Sequence, residues 1–433
     1  MDRGKLYQIL TAVASAYGTL LMGLFTVWPS YTVSLLKLEN TTILLEPMSS
    51  TEVSLLGSLP SLGGMMGTAL VAPLIESFGR KRGGLAITLP FVLAWTIVAV
   101  SKSSIPILAA RFIGGIAGGG NLVFAPMFIS EVAEDSFRGT LASATVLFYG
   151  VGVLSSYNLG WFFNYTTIIW INLIVSIIGC GLLLIINESP VYLLKKNKEE
   201  KARISLAVYR GSSPKSVLVE EAIIKLKHQM CRAFLILISV VALQVFMGMV
   251  PMQVYAKQVF MEADSSKADM YSVIFAVVFM GGSFVAGGVV DKAGRRILII
   301  LSSAMVAICM GSLGFVLHTR VVPSWVAIVL ILLFTFCFTC GAGSIPYILI
   351  AEVFNSKVQA FASSVIIECA WFLNFVVLAA FTWLKEIIGI HGIFYIFAVN
   401  AIVNATFSFF FVPETKGLSN MQIQDIFSKN RRK

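Results

Sequence analysis

Long apolar segments dominate this sequence and most strongly limit what it can fold into. A helix needs about twenty largely apolar residues to cross the hydrocarbon core of a bilayer, and twelve segments meet that requirement. Their predicted bounds are 6–28, 54–78, 85–101, 105–132, 141–161, 168–186, 231–255, 268–290, 297–317, 322–351, 359–383 and 390–412. The sequence therefore predicts an all-α membrane protein with twelve transmembrane helices.

The composition agrees with a protein surrounded by lipid. Only 12% of the residues are charged and 57% are hydrophobic, whereas a soluble domain has about a quarter charged residues. The net charge of +10 does not indicate a nucleic-acid partner, because the positive residues lie mostly in short loops between the apolar segments. The six cysteines lie in or beside those segments, so we expect no extracellular disulfide framework. No small-residue cleavage site follows the N-terminus, and we expect the first segment to be retained as a helix.

The distribution of lysine and arginine predicts the orientation of the chain. Cytosolic loops carry an excess of these residues. With twelve spans both termini share one side of the membrane, and 25 of the 32 basic residues fall on that side. We therefore predict that both termini are cytosolic. Two sequons, beginning at Asn40 and Asn164, then lie outside and are candidate glycosylation sites, although such tripeptides also occur by chance.

A long polar stretch separates the sixth apolar segment from the seventh. It mixes charged residues with apolar residues at helical spacing, which predicts short cytosolic surface helices over residues 187–230. The predicted domains are two six-helix bundles, residues 1–186 and 231–413, joined by this linker. Residues 414–433 form a predicted cytosolic tail.

Three features of the first bundle recur in the second at a nearly constant distance. Gly79 corresponds to Gly294, Glu131 to Glu352, and Glu188 to Glu414. The separations are 215, 221 and 226 residues. This constancy predicts two related halves arranged as parallel repeats, a symmetry of transporters whose solute site lies between the repeats.

Charged residues at the cytosolic helix ends form a second repeated set. Opposite charges there can pair across neighbouring helix ends, close the cytosolic side, and separate when that side opens. The alternative is that they only anchor helix ends at the membrane surface. The predicted gating residues are Arg80, Glu131, Arg138, Glu188, Asp291, Arg295, Glu352 and Glu414.

Several short motifs, taken in order, resemble those of the sugar porters of the major facilitator superfamily across the whole chain. The matching pieces are Arg111-Phe112-Ile113-Gly114, Glu131 with Arg138-Gly139, Glu188-Ser189-Pro190, Asp291-Lys292-Ala293-Gly294-Arg295-Arg296, Ile345-Pro346-Tyr347, Ala351-Glu352-Val353-Phe354, Trp371 with Asn374, and Pro413-Glu414-Thr415-Lys416-Gly417. Within that family the chain most resembles insect facilitated trehalose or hexose transporters, partly through Trp28-Pro29-Ser30.

The resemblance implies facilitative transport of a hexose or trehalose by alternating access in the plasma membrane. It implies no enzymatic activity, no cofactor and no metal. The implied partners are a small sugar and the lipid bilayer, while the oligomeric state stays open. Substrate-binding residues carried over from the family motifs are Gln244, Tyr347, Trp371 and Asn374.

Four positions depart from the family pattern in a way that bears on the substrate. Where typical members carry amide side chains, this chain has Val146, Val245, Val250 and Phe279. Sugar recognition needs donors and acceptors that match hydroxyl groups. The departures therefore leave open a sugar sensor with little transport, or a carrier for a less polar solute.

One carboxylate at membrane depth raises the alternative of proton coupling. Glu368 lies midway along the eleventh segment, and an ionisable residue there is a functional candidate. It can exchange a proton during transport, or it can stay neutral and hydrogen-bond the substrate. The first segment, from Ile9 to Leu24, has no carboxylate. We expect uniport and keep a proton-coupled symporter as the alternative.

The orientation can be tested with epitope tags in intact cells. Tags at the two termini and within residues 187–230 should be protected from external protease, because the positive residues hold these regions in the cytosol. A tag beside Asn40 should be cleaved. Cleavage of a terminal tag in sealed cells would reverse the predicted orientation.

Overall fold

All regular secondary structure in the described part of the chain is helical. The computed structural model describes residues 3–38, 43–133, 135–189, 192–193, 231–263, 267–319, 321–353 and 356–416. No strand occurs in these ranges. The all-α fold class predicted from the sequence is confirmed.

The N-terminal half contains six long helices, one for each of the first six predicted spans. They are α1 Arg3–Leu36, α2 Ser50–Phe78, α3 Arg80–Val100, α4 Ser104–Val132, α5 Asp135–Phe162 and α6 Tyr165–Ile185. Each helix covers its predicted segment to within about one residue. Four of them contain an internal proline: α1, α2, α3 and α4.

The C-terminal half follows the same order but is more interrupted. Its helices are α7 Cys231–Val245, α8 Met249–Val254, α9 Ala256–Ala263, α10 Ala268–Ala293, α11 Arg295–Thr319, α12 Ser324–Cys340, α13 Ile345–Val353 and α14 Ser356–Phe411. Helix α14 holds the last two predicted spans, which are separated by a kink at Gly389, where φ is 70°.

Two predicted spans are divided in the structure. The seventh is split between α7 and α8, where Gly248 adopts a left-handed backbone with φ of 88°. The tenth is split between α12 and α13 by a turn over residues 341–344. Non-helical backbone at membrane depth leaves polar groups that need other partners, so both breaks mark places where the protein must supply them.

Ten segments of the described residues are long and apolar enough to cross a membrane. The last of them, Val365–Phe411, contains both final spans on either side of the kink at Gly389. Helix α5 is not among the ten, and its polar side chains include Thr145, Ser156 and Asn158. Counting α5 and both parts of α14 gives the twelve predicted spans.

Close backbone approach holds α2 against α4. Cβ atoms built on Gly67 and Gly119 would collide with the carbonyl oxygens of Ile116 and Gly64 respectively. Small residues allow helix backbones to pack closely in lipid, where the hydrophobic effect does not drive helices together. The glycine run over residues 114–120 therefore serves packing.

Contacts divide the chain into two compact units, Met1–Lys225 and Leu226–Lys433. Within the second unit, one apolar core joins α7 to the first part of α14, through Val241 and Val245 on one side and Ala370 and Val377 on the other. Most of the predicted linker, residues 187–230, and most of the tail lie outside the described residues.

Two glycines offer a matched test of this packing. Gly119→Ala should lower the thermal stability of the purified protein, because its Cβ would press into the backbone of α2. Gly181→Ala should be neutral or slightly stabilising, because nothing lies within 4 Å of a Cβ there and alanine has the higher helix propensity. Equal unfolding temperatures for the two variants in detergent would contradict the packing role.

Candidate functional site

A buried arginine at the start of α3 forms an ion pair with the end of α4. The Arg80 guanidinium donates hydrogen bonds to both oxygens of the Glu131 carboxylate, from Nη2 to Oε1 at 2.6 Å and from Nε to Oε2 at 2.9 Å. Only 4% of the Arg80 side chain is exposed. A two-point pairing of this kind fixes orientation as well as distance. It holds the start of α3 to the end of α4 within the first half.

Glu188 also meets Arg80, but through the backbone. Its carboxylate accepts hydrogen bonds from the backbone N–H groups of Arg80 at 2.7 Å and Lys81 at 3.2 Å. The first N–H groups of a helix have no partner inside the helix, and a negative charge there is favourable. Gly79 has φ of 92°, and a Cβ at that position would collide with the Glu188 carboxylate. The glycine therefore makes room for the acidic cap.

The same device occurs at the start of α11 in the second half. The Glu414 carboxylate accepts hydrogen bonds from the backbone N–H groups of Arg295 at 2.9 Å and Arg296 at 3.2 Å. Gly294 precedes them with φ of 91°, and a Cβ there would press on that carboxylate. The repeat seen in the sequence is thus a repeat of one hydrogen-bonded arrangement.

The predicted gating residues are only partly brought together. Arg80, Glu131 and Glu188 meet within the first unit, and Arg295 and Glu414 meet within the second. The side chains of Arg138, Asp291 and Glu352 lie outside the described residues. A gating role for this set stays a prediction. The sequence indicated the charged groups but did not show that backbone amides are the partners of both terminal glutamates.

At membrane depth, Gln244 connects the two broken spans. It lies in the last turn of α7, and its Nε2 donates a hydrogen bond of 2.9 Å to the carbonyl oxygen of Gly343, in the turn between α12 and α13. The Gln244 side-chain oxygen is buried and has no hydrogen-bond partner. The Gln244 amide therefore satisfies a backbone carbonyl in the second break, and its own oxygen remains without a donor.

Three residues of α14 carry further unpartnered atoms. Glu368 Oε1, Trp371 Nε1 and Asn374 Oδ1 are each buried without a hydrogen-bond partner. Successive residues in this set are three apart, so they form a stripe along one side of the helix. A buried polar group left unpaired costs about 1–3 kcal/mol, and its presence calls for a partner such as a ligand.

The other predicted binding residue, Tyr347, is the third residue of α13 and so lies just after the second break. It is 44% exposed. Val146, at a position where sugar porters typically carry an amide, is 52% exposed on α5. Apolar surface therefore replaces a hydrogen-bonding group at that position in the N-terminal half.

Sequence reasoning missed Gln258, whose amide oxygen and nitrogen are both buried without partners. It lies in α9, beyond the predicted end of the seventh span at residue 255. It stands just past the apolar segment in the sequence, so hydropathy gave no reason to include it.

The predicted glycosylation sites are not tested by the structure. Asn164 is exposed, and its side-chain oxygen accepts a hydrogen bond of 2.9 Å from the backbone N–H of Thr167, which caps α6. Asn40 lies outside the described residues. Glycosylation at both positions stays a prediction.

No group of three or more potential ligand side chains able to hold a metal ion occurs among the residues that the structure describes.

Comparison with known proteins adds to this geometry. A family model described as "Sugar (and other) transporter" matches residues 5–427. The chain is 28% identical to the facilitated trehalose transporter Tret1 of Polypedilum vanderplanki, over 96% of this chain and 87% of that protein. It is 25% identical to Tret1 of Drosophila virilis over 95% of this chain, and there it spans about half of its relative's length, 47%.

Solved structures with the same fold include two states of the xylose transporter XylE from E. coli. The partially occluded inward-open state has a TM-score of 0.82 and 22% identity, covering 95% of this chain and 99% of that one. The inward-open state has a TM-score of 0.81 and 21% identity, covering 97% and 100%. At this identity the likeness shows the fold.

The acidic caps can be tested by substitution. Glu188→Ala and Glu414→Ala should each lower the free energy of unfolding by about 1–2 kcal/mol, because helix N–H groups lose their acceptor and its charge. The glutamine variants should lose less, because an oxygen acceptor remains. The measurement is thermal unfolding of the purified protein.

Glu76→Ala is the matched control, since Glu76 is exposed near the end of α2. If the alanine variants at 188 and 414 unfold at the same temperature as this control, the caps do not stabilise the fold.

Proposed function

The chain belongs to the sugar (and other) transporter family, and on that premise we propose that it carries a hexose or trehalose across the plasma membrane by facilitated diffusion. It is a multi-pass transporter of the major facilitator fold that works by alternating access. We further propose that both termini face the cytosol, which the distribution of basic residues supports.

The observation that carries this proposal is the set of unpartnered polar atoms in the C-terminal unit. Gln244, Trp371 and Asn374 each keep one buried polar atom without a protein partner. Sugar hydroxyl groups both donate and accept hydrogen bonds, so they can satisfy acceptors and donors alike. The ring of Trp371 adds an apolar plane for the C–H face of a sugar ring. These are the groups that a sugar site requires.

The names of the relatives support a sugar as the transported solute. Those compared above are named facilitated trehalose transporters, and a facilitated carrier needs no second solute. A hexose and trehalose share the hydroxyl-rich surface that the unpartnered atoms would bind, so both belong in the first round of tests.

The broken spans offer a physical basis for alternating access. Discontinuous helices commonly lie at the substrate site of transporters, and one repeat moves against the other during transport. Gln244 joins the break after α7 to the turn before α13. A ligand that competes for this amide would therefore alter the contact between the two breaks.

Proton-coupled symport is the second candidate, and Glu368 is the observation that favours it. A carboxylate that gains and loses a proton with each cycle would couple sugar to protons. Against it, the apolar part of α1 from Ile9 to Leu24 carries no carboxylate. A sensor that binds sugar without moving it is the third candidate, favoured by the four positions where apolar residues replace the amides of the family: Val146, Val245, Val250 and Phe279.

Proteoliposomes can separate these three functions. We expect labelled glucose or trehalose to equilibrate across the vesicle membrane, and a pH dye in the lumen to stay constant, because solute alone drives the flux. Stoichiometric acidification during uptake that disappears in Glu368→Gln would replace uniport with symport. Saturable binding to purified protein with no flux in vesicles would leave a sensor.

A further inference from the structure

The unpartnered polar atoms around the broken seventh span and the eleventh span include more acceptors than donors. Gln244 Oε1, Glu368 Oε1 and Asn374 Oδ1 are oxygens, Trp371 Nε1 is a nitrogen, and Gln258 adds one atom of each kind. An indole N–H only donates, and an ionised carboxylate only accepts. The set therefore favours a ligand that brings more donors than acceptors.

The orientation of Gln244 strengthens this imbalance. Oxygen and nitrogen of an amide are assigned from their hydrogen bonds. Since the partner of Gln244 is the carbonyl oxygen of Gly343, the atom facing it must be the donating nitrogen. The remaining atom is then an acceptor. Gln244 is only 7% exposed, so water does not easily take the place of a ligand donor.

Glu368 gives the site a group that can carry a negative charge. Among the described residues of this unit, the ion pairs use other carboxylates: Lys257 binds Asp269 at 2.7 Å, and Lys385 binds Glu262 at 2.8 Å. No hydrogen-bond partner satisfies Glu368 Oε1. An unpaired charge at membrane depth is unfavourable, and a cation that arrives with the solute would remove that cost.

Trp371 adds a second group suited to a cation. It lies three residues after Glu368 on the same side of α14. The face of an indole ring attracts an ammonium group, and this attraction grows when water is excluded. A carboxylate and an indole on neighbouring turns can therefore hold one ammonium group between them.

We propose that the preferred solute is an amine-bearing sugar, whose ammonium group is bound by Glu368 and Trp371 while its hydroxyl groups donate to Gln244 and Asn374. This inference rests on the proposed transport of sugars and specifies their class. The ammonium group supplies three donors, which matches the excess of acceptors. A neutral sugar satisfies the amides but leaves the carboxylate without a cation.

The test compares sugars that differ at one substituent. Purified protein in proteoliposomes is given labelled glucosamine, N-acetylglucosamine or glucose, in a buffer acidic enough to keep the free amine protonated. We expect glucosamine to be taken up with roughly tenfold higher kcat/KM than the two neutral sugars, in line with a charge-assisted hydrogen bond. Glu368→Gln should abolish this preference, because it removes the charge and keeps the size of the side chain.

Glu386→Gln is the matched control. Glu386 lies on the same helix near the kink at Gly389 and is exposed. Its substitution by glutamine changes the net charge of the protein by the same amount. Its preference for glucosamine should equal that of the unmodified protein. Glu368→Asp, which keeps the charge on a shorter side chain, should retain part of the preference.

The outcomes distinguish this inference from the proposed function. Uptake of glucose without a preference for glucosamine, or a preference that survives Glu368→Gln, overturns the amine site and leaves sugar transport intact. If no sugar enters the vesicles, the proposed transport fails, and binding of labelled glucosamine to the purified protein decides the site by itself. If unlabelled glucose displaces the bound glucosamine far more weakly than unlabelled glucosamine does, the amine site is supported. If the two sugars displace it equally well, the amine site is overturned.

Discussion

Every backbone polar group at membrane depth needs a partner from within the protein, since lipid offers none. Unbroken helices meet this requirement through their own hydrogen bonds. At the breaks after Val245 and after Cys340 short backbone turn bonds replace part of the helical pattern, and a side chain supplies a further partner. Gln244 does this by donating to the carbonyl oxygen of Gly343. The most interrupted part of the fold and the most polar part of the candidate site are therefore the same place, because one amide stabilises the turn and its second atom stays available to a ligand.

The two halves use the same arrangement to provide acceptors for the first N–H groups of a helix. A glycine with positive φ brings the chain into a new helix, and a distant glutamate accepts hydrogen bonds from the first N–H groups of that helix. A substitution at Gly79 or Gly294 would displace that carboxylate. The glycine, the arginine after it and the distant glutamate, 109 residues after the glycine in the first half and 120 in the second, are thus physically one unit. Repetition of this unit in both halves is what produced the nearly constant spacing in the sequence.

Hydropathy alone predicted the twelve spans and the all-α fold, because the length of an apolar segment is fixed by the thickness of the bilayer. It did not predict the breaks at Gly248 and over residues 341–344, since glycine, alanine and serine also occur inside continuous transmembrane helices. The partners of Glu188 and Glu414 were also not predictable, because a backbone amide has no signature in the sequence. Gln258 was missed for another reason, as it lies in α9, after the predicted end of the seventh span at residue 255.

The charge of Glu368 has a consequence for how such a carrier would work. If the carboxylate is ionised in the empty protein, closing the site around it removes a charge from water without compensation, which is strongly unfavourable. A bound ammonium group or a proton compensates that charge and makes closure easier, whereas a neutral sugar does not. Symport and an amine-bearing substrate are therefore two answers to one physical requirement, that a cation accompany the solute when the site closes. They differ in where the cation resides, because a proton is exchanged at the carboxylate itself while an ammonium group leaves with the sugar.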